Sequence, residues 1–159
     1  MRKAIIVIAG LVLMGFIGTC MYFVAGVSST FPPIKKYQFS GSVNQLLSGI
    51  KEYTAINPNV SLKITDTTGN EENGYGIYID IVVKGLKGDI LYNLKCEKSN
   101  DDGEPAKTLI HLIGVFNTKN YKIGGYGNEG TGVKDMVKDF DTGFLLDLQK
   151  QQKMSIKLY

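Results

Sequence analysis

The sequence predicts an α+β domain behind a membrane-crossing leader. Three observations carry that reading. After Arg2 and Lys3, no charge occurs from Ala4 to Thr30. Four strand-like segments lie between residues 60 and 117, the first of them alternating apolar and polar side chains with the period of two that marks a half-buried strand. Two flanking segments, starting near 43 and 133, carry apolar residues at helical spacing. The predicted order is β-α-β-β-β-β-α: an antiparallel four- to five-stranded meander with two helices on one face.

Residues 1–26 read as a signal anchor or signal peptide. Ala4 to Gly26 is a mostly apolar stretch. At ~1.5 Å of helical rise per residue it is long enough for a ~30 Å hydrocarbon layer. Cations before the span and none directly after it put the N-terminus in the cytoplasm and the rest outside. An uncleaved anchor fits best, because the run exceeds the ~7–15 residues of an ordinary signal-peptide core. Cleavage near Ala25, Gly26, Ser28 or Ser29 is the second outcome. The third is acylation at Cys20. Ile17-Gly18-Thr19-Cys20 resembles a bacterial lipobox, but Thr19 stands where Gly, Ala or Ser is usual, and Met21, Tyr22 and Phe23 are more apolar than a lipoprotein tether. Residues 27–36 form a linker whose Pro32-Pro33 favours extended backbone.

The folded part, 37–159, begins with a short strand at Tyr37 to Ser40. Ser42, with Gln45 three residues on, is a capping box. Val43, Leu46, Leu47, Ile50 and Tyr53 then form one helical stripe, and Asn57-Pro58 ends the helix because the residue before proline avoids αR. Val60, Leu62 and Ile64 alternate with polar residues. Ile77, Ile79, Ile81 and Val83 do so next, then Ile90, Tyr92, Leu94 and Cys96. The connections are too short for crossovers, so neighbours must be antiparallel. The segment 107–117 is apolar on both faces: Leu109, His111, Ile113 and Val115 on one, Ile110, Leu112, Gly114 and Phe116 on the other. Such a strand needs cover at its edge, from the strand at Tyr37, from the tail 155–159 or from a second chain. The last helix starts near Gly132, buries Val133, Met136, Val137, Phe140, Phe144 and Leu148, and bends near Gly143.

Chemistry is sparse. Setting Arg2 and Lys3 aside leaves 16 cations against 15 acids, with no further arginine, which argues against nucleic-acid binding. Cys96 is the lone cysteine of the folded part and His111 the only histidine of the chain, so neither a zinc site nor a disulfide framework can be assembled. His111 and Cys96 read as packed strand residues. Asp101, Asp102 and Glu104 do not match a calcium loop. Asp135, Asp139 and Asp141 read as the wet face of the last helix, and Asp80 as a residue of the sheet's more polar face. No cofactor and no metal are expected.

The stretch GGYGNEGTG, residues 124–132, fits G-x-G-x-x-G at Gly125, Gly127 and Gly130. A dinucleotide fold needs a strand directly before this motif and a parallel strand after the helix, and the chain has neither. The glycines read as a tight approach to the helix. Tyr121, Gly125, Tyr126, Gly127 and Asn128 remain a candidate ligand- or partner-binding loop. The chain is rich in tyrosine, which suits interfaces, and its Lys-, Ile- and Asn-rich usage points to an AT-rich, bacterial genome. The expected function is a membrane-tethered, non-catalytic module of a cell envelope that works through contact with a protein partner or as a homodimer. The alternatives are a small-ligand or peptide-binding cup and, behind it, a hydrolase using paired acids on the sheet.

Overall fold

The computed structural model describes residues 32–68, 76–99 and 106–159. The leader, Cys20, Tyr75 and the acids at 101–104 lie outside the described residues. The domain is an α+β fold with an antiparallel sheet of seven strands and two helical stretches. Its elements are β1 (Lys35–Phe39), α1 (Val43–Ile56), β2 (Val60–Thr68), β3 (Gly76–Val83), β4 (Ile90–Lys98), β5 (Thr108–Asn117), β6 (Gly124–Tyr126), α2 (Val133–Asp139), a π-helical turn (Phe140–Leu145), α3 (Leu146–Gln152) and β7 (Ile156–Leu158).

The meander from β2 to β5 is present, and the sheet continues past it in the order β2-β3-β4-β5-β1-β7. The four- to five-strand expectation is corrected to seven because β6 and β7 are three residues each, too short to show a period. Cover for β5 comes from two sources on its second edge. β1 pairs with Thr108 to Leu112, and β6 pairs with Gly114 to Phe116. The tail does not reach β5; as β7 it pairs with the outer edge of β1.

A bulge corrects the predicted facing of β5. Asn93 is paired with Gly114, but the next residue, Leu94, is paired with Leu112, so Ile113 is extra. One inserted residue reverses the alternation beyond it. Val115 therefore joins Ile110 and Leu112 in the core, while Gly114 and Phe116 join Leu109 and His111 on the other face.

One core holds the domain together. The sheet supplies Tyr37, Phe39, Ile77, Ile79, Ile81, Tyr92, Leu94, Cys96, Ile110, Leu112 and Val115. The capping box of α1 is formed at Ser42 and Gln45, and its stripe Val43, Leu46, Leu47, Ile50 and Tyr53 is buried as its spacing requires. The C-terminal helices bury Val133, Met136, Phe140, Phe144, Leu145 and Leu148. Among the described residues, the buried apolar side chains run from Ile34 to Ile156.

Where a bend was expected near Gly143, the helix widens. The N–H of Leu146 donates to the carbonyl of Asp141, five residues back. A π turn holds more residues than an α turn, which lets both Phe144 and Leu145 face inward with Phe140. The wider turn also corrects the reading of Asp141. It is not on a wet face: its carboxylate pairs with Lys35 and accepts a hydrogen bond from Tyr37 Oη at 2.6 Å, tying β1 to the helix. Burial first, then that hydrogen bond and the Asp141 charge, push the Tyr37 phenol well above its ordinary range.

Candidate functional site

The helices pack on one face of the sheet, and among the described residues no helix covers the other. Directly opposite residues in paired strands share a face, so register builds this open face row by row. Val82, Leu91 and Phe116 stand in line across β3, β4 and β5. Phe116 meets Tyr126 of β6 edge-to-face, with ring centroids 5.1 Å apart. Beside them Asn93 Nδ2 donates to Asp80 Oδ1 at 2.6 Å. Gly114 sits between Asn93, Phe116 and Tyr126; a Cβ there would fall 2.9 Å from each.

The next rows are charged. Lys95 is opposite both Tyr78 and His111, and His111 is opposite Lys36. Lys95 Nζ lies 2.5 Å from Glu97 Oε2, and His111 Nε2 lies 3.0 Å from Glu97 Oε1, the latter outside hydrogen-bond geometry. Burial alone would raise the Glu97 carboxyl, but the hydrogen bond and charge of Lys95, then the charge of His111, hold it below its ordinary value. Burial lowers the His111 pKa; Glu97 opposes that shift, and Lys36 and Lys95 add to it. The expected polar face thus includes Asp80, and His111 joins a four-residue charged cluster. Sequence reading missed that cluster because only strand register brings 36, 95, 97 and 111 together.

The cluster has the residue types of acid–base chemistry but not its arrangement. Among the described residues no serine, threonine or cysteine nucleophile hydrogen-bonds to His111 Nε2. Cys96 points into the core, and burial pushes its thiol up to about 12, away from the reactive thiolate. Among the described residues no three His, Cys, Asp or Glu side chains gather as a metal site would require.

The glycine loop is a strand joined to a turn. β6 lies so close to β5 that a Cβ on Gly124, whose φ is +117°, would come 2.2 Å from the Val115 carbonyl oxygen. A Cβ on Gly130 would come 2.4 Å from the Gly124 carbonyl oxygen. These glycines allow backbone to pack on backbone. Of the candidate loop residues, Tyr126 stands half-exposed on the open face against Phe116, and Tyr121 is exposed in the β5–β6 turn. Gly125 and Gly127 have positive φ, and Asn128 is exposed. The loop therefore divides its tyrosines between the sheet face and the end of the domain.

Two surface grooves accompany the sheet. One of about 550 Å³ runs along Asn44, Ser48 and Glu52 of α1 and Lys153 to Ser155. Another of about 530 Å³ follows α1 and β2, lined by Lys51, Thr54, Val60, Leu62 and Ile64. Comparison with protein-family models, with curated proteins and with solved structures found no match to this chain.

Proposed function

We propose that the chain is a non-catalytic binding or assembly module, held at a membrane by its leader and working through protein–protein contact on the open face of the sheet. One observation carries the reading. The row Val82–Leu91–Phe116, with the Tyr126 ring against Phe116, is apolar and aromatic, shares its face with the charged cluster Lys36, Lys95, Glu97 and His111 beyond the Asp80–Asn93 pair, and has no described helix over it. An apolar centre with a charged rim is how protein contacts are built, the centre supplying burial and the rim partner choice. The other face supports this over a ligand cup, because side chains from both helical stretches fill it. The leader is the basis for the tether, through its uncharged length after Arg2 and Lys3. No helix of the described residues is long and apolar enough to cross a membrane.

Two measurements test the reading. Membranes from cells producing the full chain are extracted with alkaline carbonate; the chain is expected in the pellet, and release as a native soluble protein contradicts the tether. Light scattering on residues 32–159 decides whether the partner is a second copy. A dimer abolished by Leu91→Glu supports self-association, and a clean monomer leaves a different protein as the partner.

A further inference from the structure

The chain leaves the domain at one particular end. β1 begins with Lys35 opposite Leu112 and finishes with Phe39 opposite Thr108. Traced backwards, β1 therefore heads the way β5 runs forwards, towards Asn117. Ile34 N–H still donates to the Leu112 carbonyl at 2.7 Å, and exposed Pro32 lies beyond it. Only residues 27–31 separate the apolar run from Pro32. At ~3.3–3.6 Å per extended residue they reach under about 20 Å.

That same end carries two joined loops. The β3–β4 connection, residues 84–89, and the β5–β6 turn, residues 118–123, are held together by Thr118 N–H donating to the Asp89 carbonyl at 2.8 Å and by Asn117 Nδ2 reaching the Lys87 carbonyl. They present exposed Lys84, Lys87, Lys119 and Lys122, and their one acid is Asp89. Asp89 is partly buried, and its carboxylate accepts the N–H of Gly85 at 3.4 Å. Leu86 is fully exposed at the tip of the first loop, and Tyr121 is 67% exposed in the second. Lys84 Nζ also donates to the Pro58 carbonyl, which brings the end of α1, with exposed Ile56, to the same side.

We infer that this loop end is a contact surface for an anionic phospholipid bilayer. The inference rests on the membrane tether proposed above. Four lysines with one partly buried acid match negative headgroups, and lysines near such a surface each add attraction. Leu86 and Tyr121 are side chains that sit in the interfacial layer, the leucine apolar and the tyrosine with a wet hydroxyl. The backward course of β1 takes Ile34 and Pro32 towards this end rather than towards the Phe39 end.

The test is flotation of residues 32–159, which contain all of the described core, with vesicles of phosphatidylglycerol and phosphatidylcholine against phosphatidylcholine alone. Binding is expected to be at least ten-fold greater on the anionic vesicles. The variant with Lys84, Lys87, Lys119 and Lys122 all changed to Gln falls to the neutral-vesicle level, while changing Lys51, Lys63, Lys150 and Lys157 to Gln retains binding. Leu86→Ser, which alters no charge, lowers binding at least three-fold. Equal binding to both vesicles, or equal loss in both lysine variants, overturns the inference. Carbonate extraction of the full chain reports on the tether separately, so the two can fail independently.

Discussion

The two faces of this sheet are written by the same strands and differ in almost every physical respect. On the core face, Ile79, Ile81, Cys96, Leu112 and Val115 have no exposed surface at all. On the open face, their neighbours in sequence, such as Val82, Leu91, Lys95, His111 and Phe116, are only partly buried. Alternation assigns each residue to one face, so the chain can settle its fold on one side and keep the other for contact. The core face is complete when the helices dock. Among the described residues no helix covers the open face, which is the basis for proposing it as the working surface.

The comparison can be sharpened by substitution, beginning where the effect is largest. Phe140 is fully buried in the π turn and its ring meets those of Tyr37, Tyr92 and Phe144. Phe140→Ala is expected to cost about 3–5 kcal/mol in urea unfolding, the range for deleting a buried aromatic ring. A cost near that of a surface change would mean the core face is not closed as described. Gly124→Ala comes next, at about 2–3 kcal/mol, because the added Cβ meets the Val115 carbonyl at a positive φ. Hydrogen exchange should show β6 released from β5 and Tyr126 withdrawn from Phe116. Asp141→Ala leaves the Tyr37 hydroxyl and Lys35 without their partner and should cost about 1–2 kcal/mol. The loss should fade when Tyr37 is also Phe, in a double-mutant cycle.

The open face gives smaller effects with a distinct pH signature. The folded His111 has a pKa below its ordinary 6.5, so the folded state resists its protonation. Its contribution to stability is full above pH 6.5 and is lost as pH falls through the lower folded value. The Glu97 carboxyl, also lowered, contributes above 4.5 and is lost on further acidification. His111→Asn should flatten the upper part of that decline and leave the lower part. Smallest of all is Leu91→Thr, which should change stability by no more than roughly 0.5 kcal/mol and still weaken partner contact.

How much of this was legible in the sequence depends on the length over which a pattern repeats. The capping box at Ser42 and Gln45, the stripe of α1 and the alternation of β2 to β5 run over enough residues to read directly. β6 and β7 do not. The bulge at Ile113 inverted the predicted facing of Val115 and Phe116, because nothing in an apolar run marks where one residue is extra. The π turn hid the inward course of Leu145 and the contact of Asp141 with Tyr37. At the candidate site, Tyr121 and Tyr126 were legible only as members of a candidate binding loop. The apolar row and the Lys95–Glu97–His111 cluster were not legible, since both depend on the exact register between neighbouring strands and on the bulge at Ile113.

The most direct test of the account is site-specific photo-cross-linking in the native membrane, with the photoreactive residue placed at Leu91 on the open face and, for comparison, at Ser48 in the polar groove. The account predicts one discrete protein adduct from Leu91, lost when Phe116 is also changed to Ser, and none from Ser48. Adducts from Ser48 with none from Leu91 would contradict it.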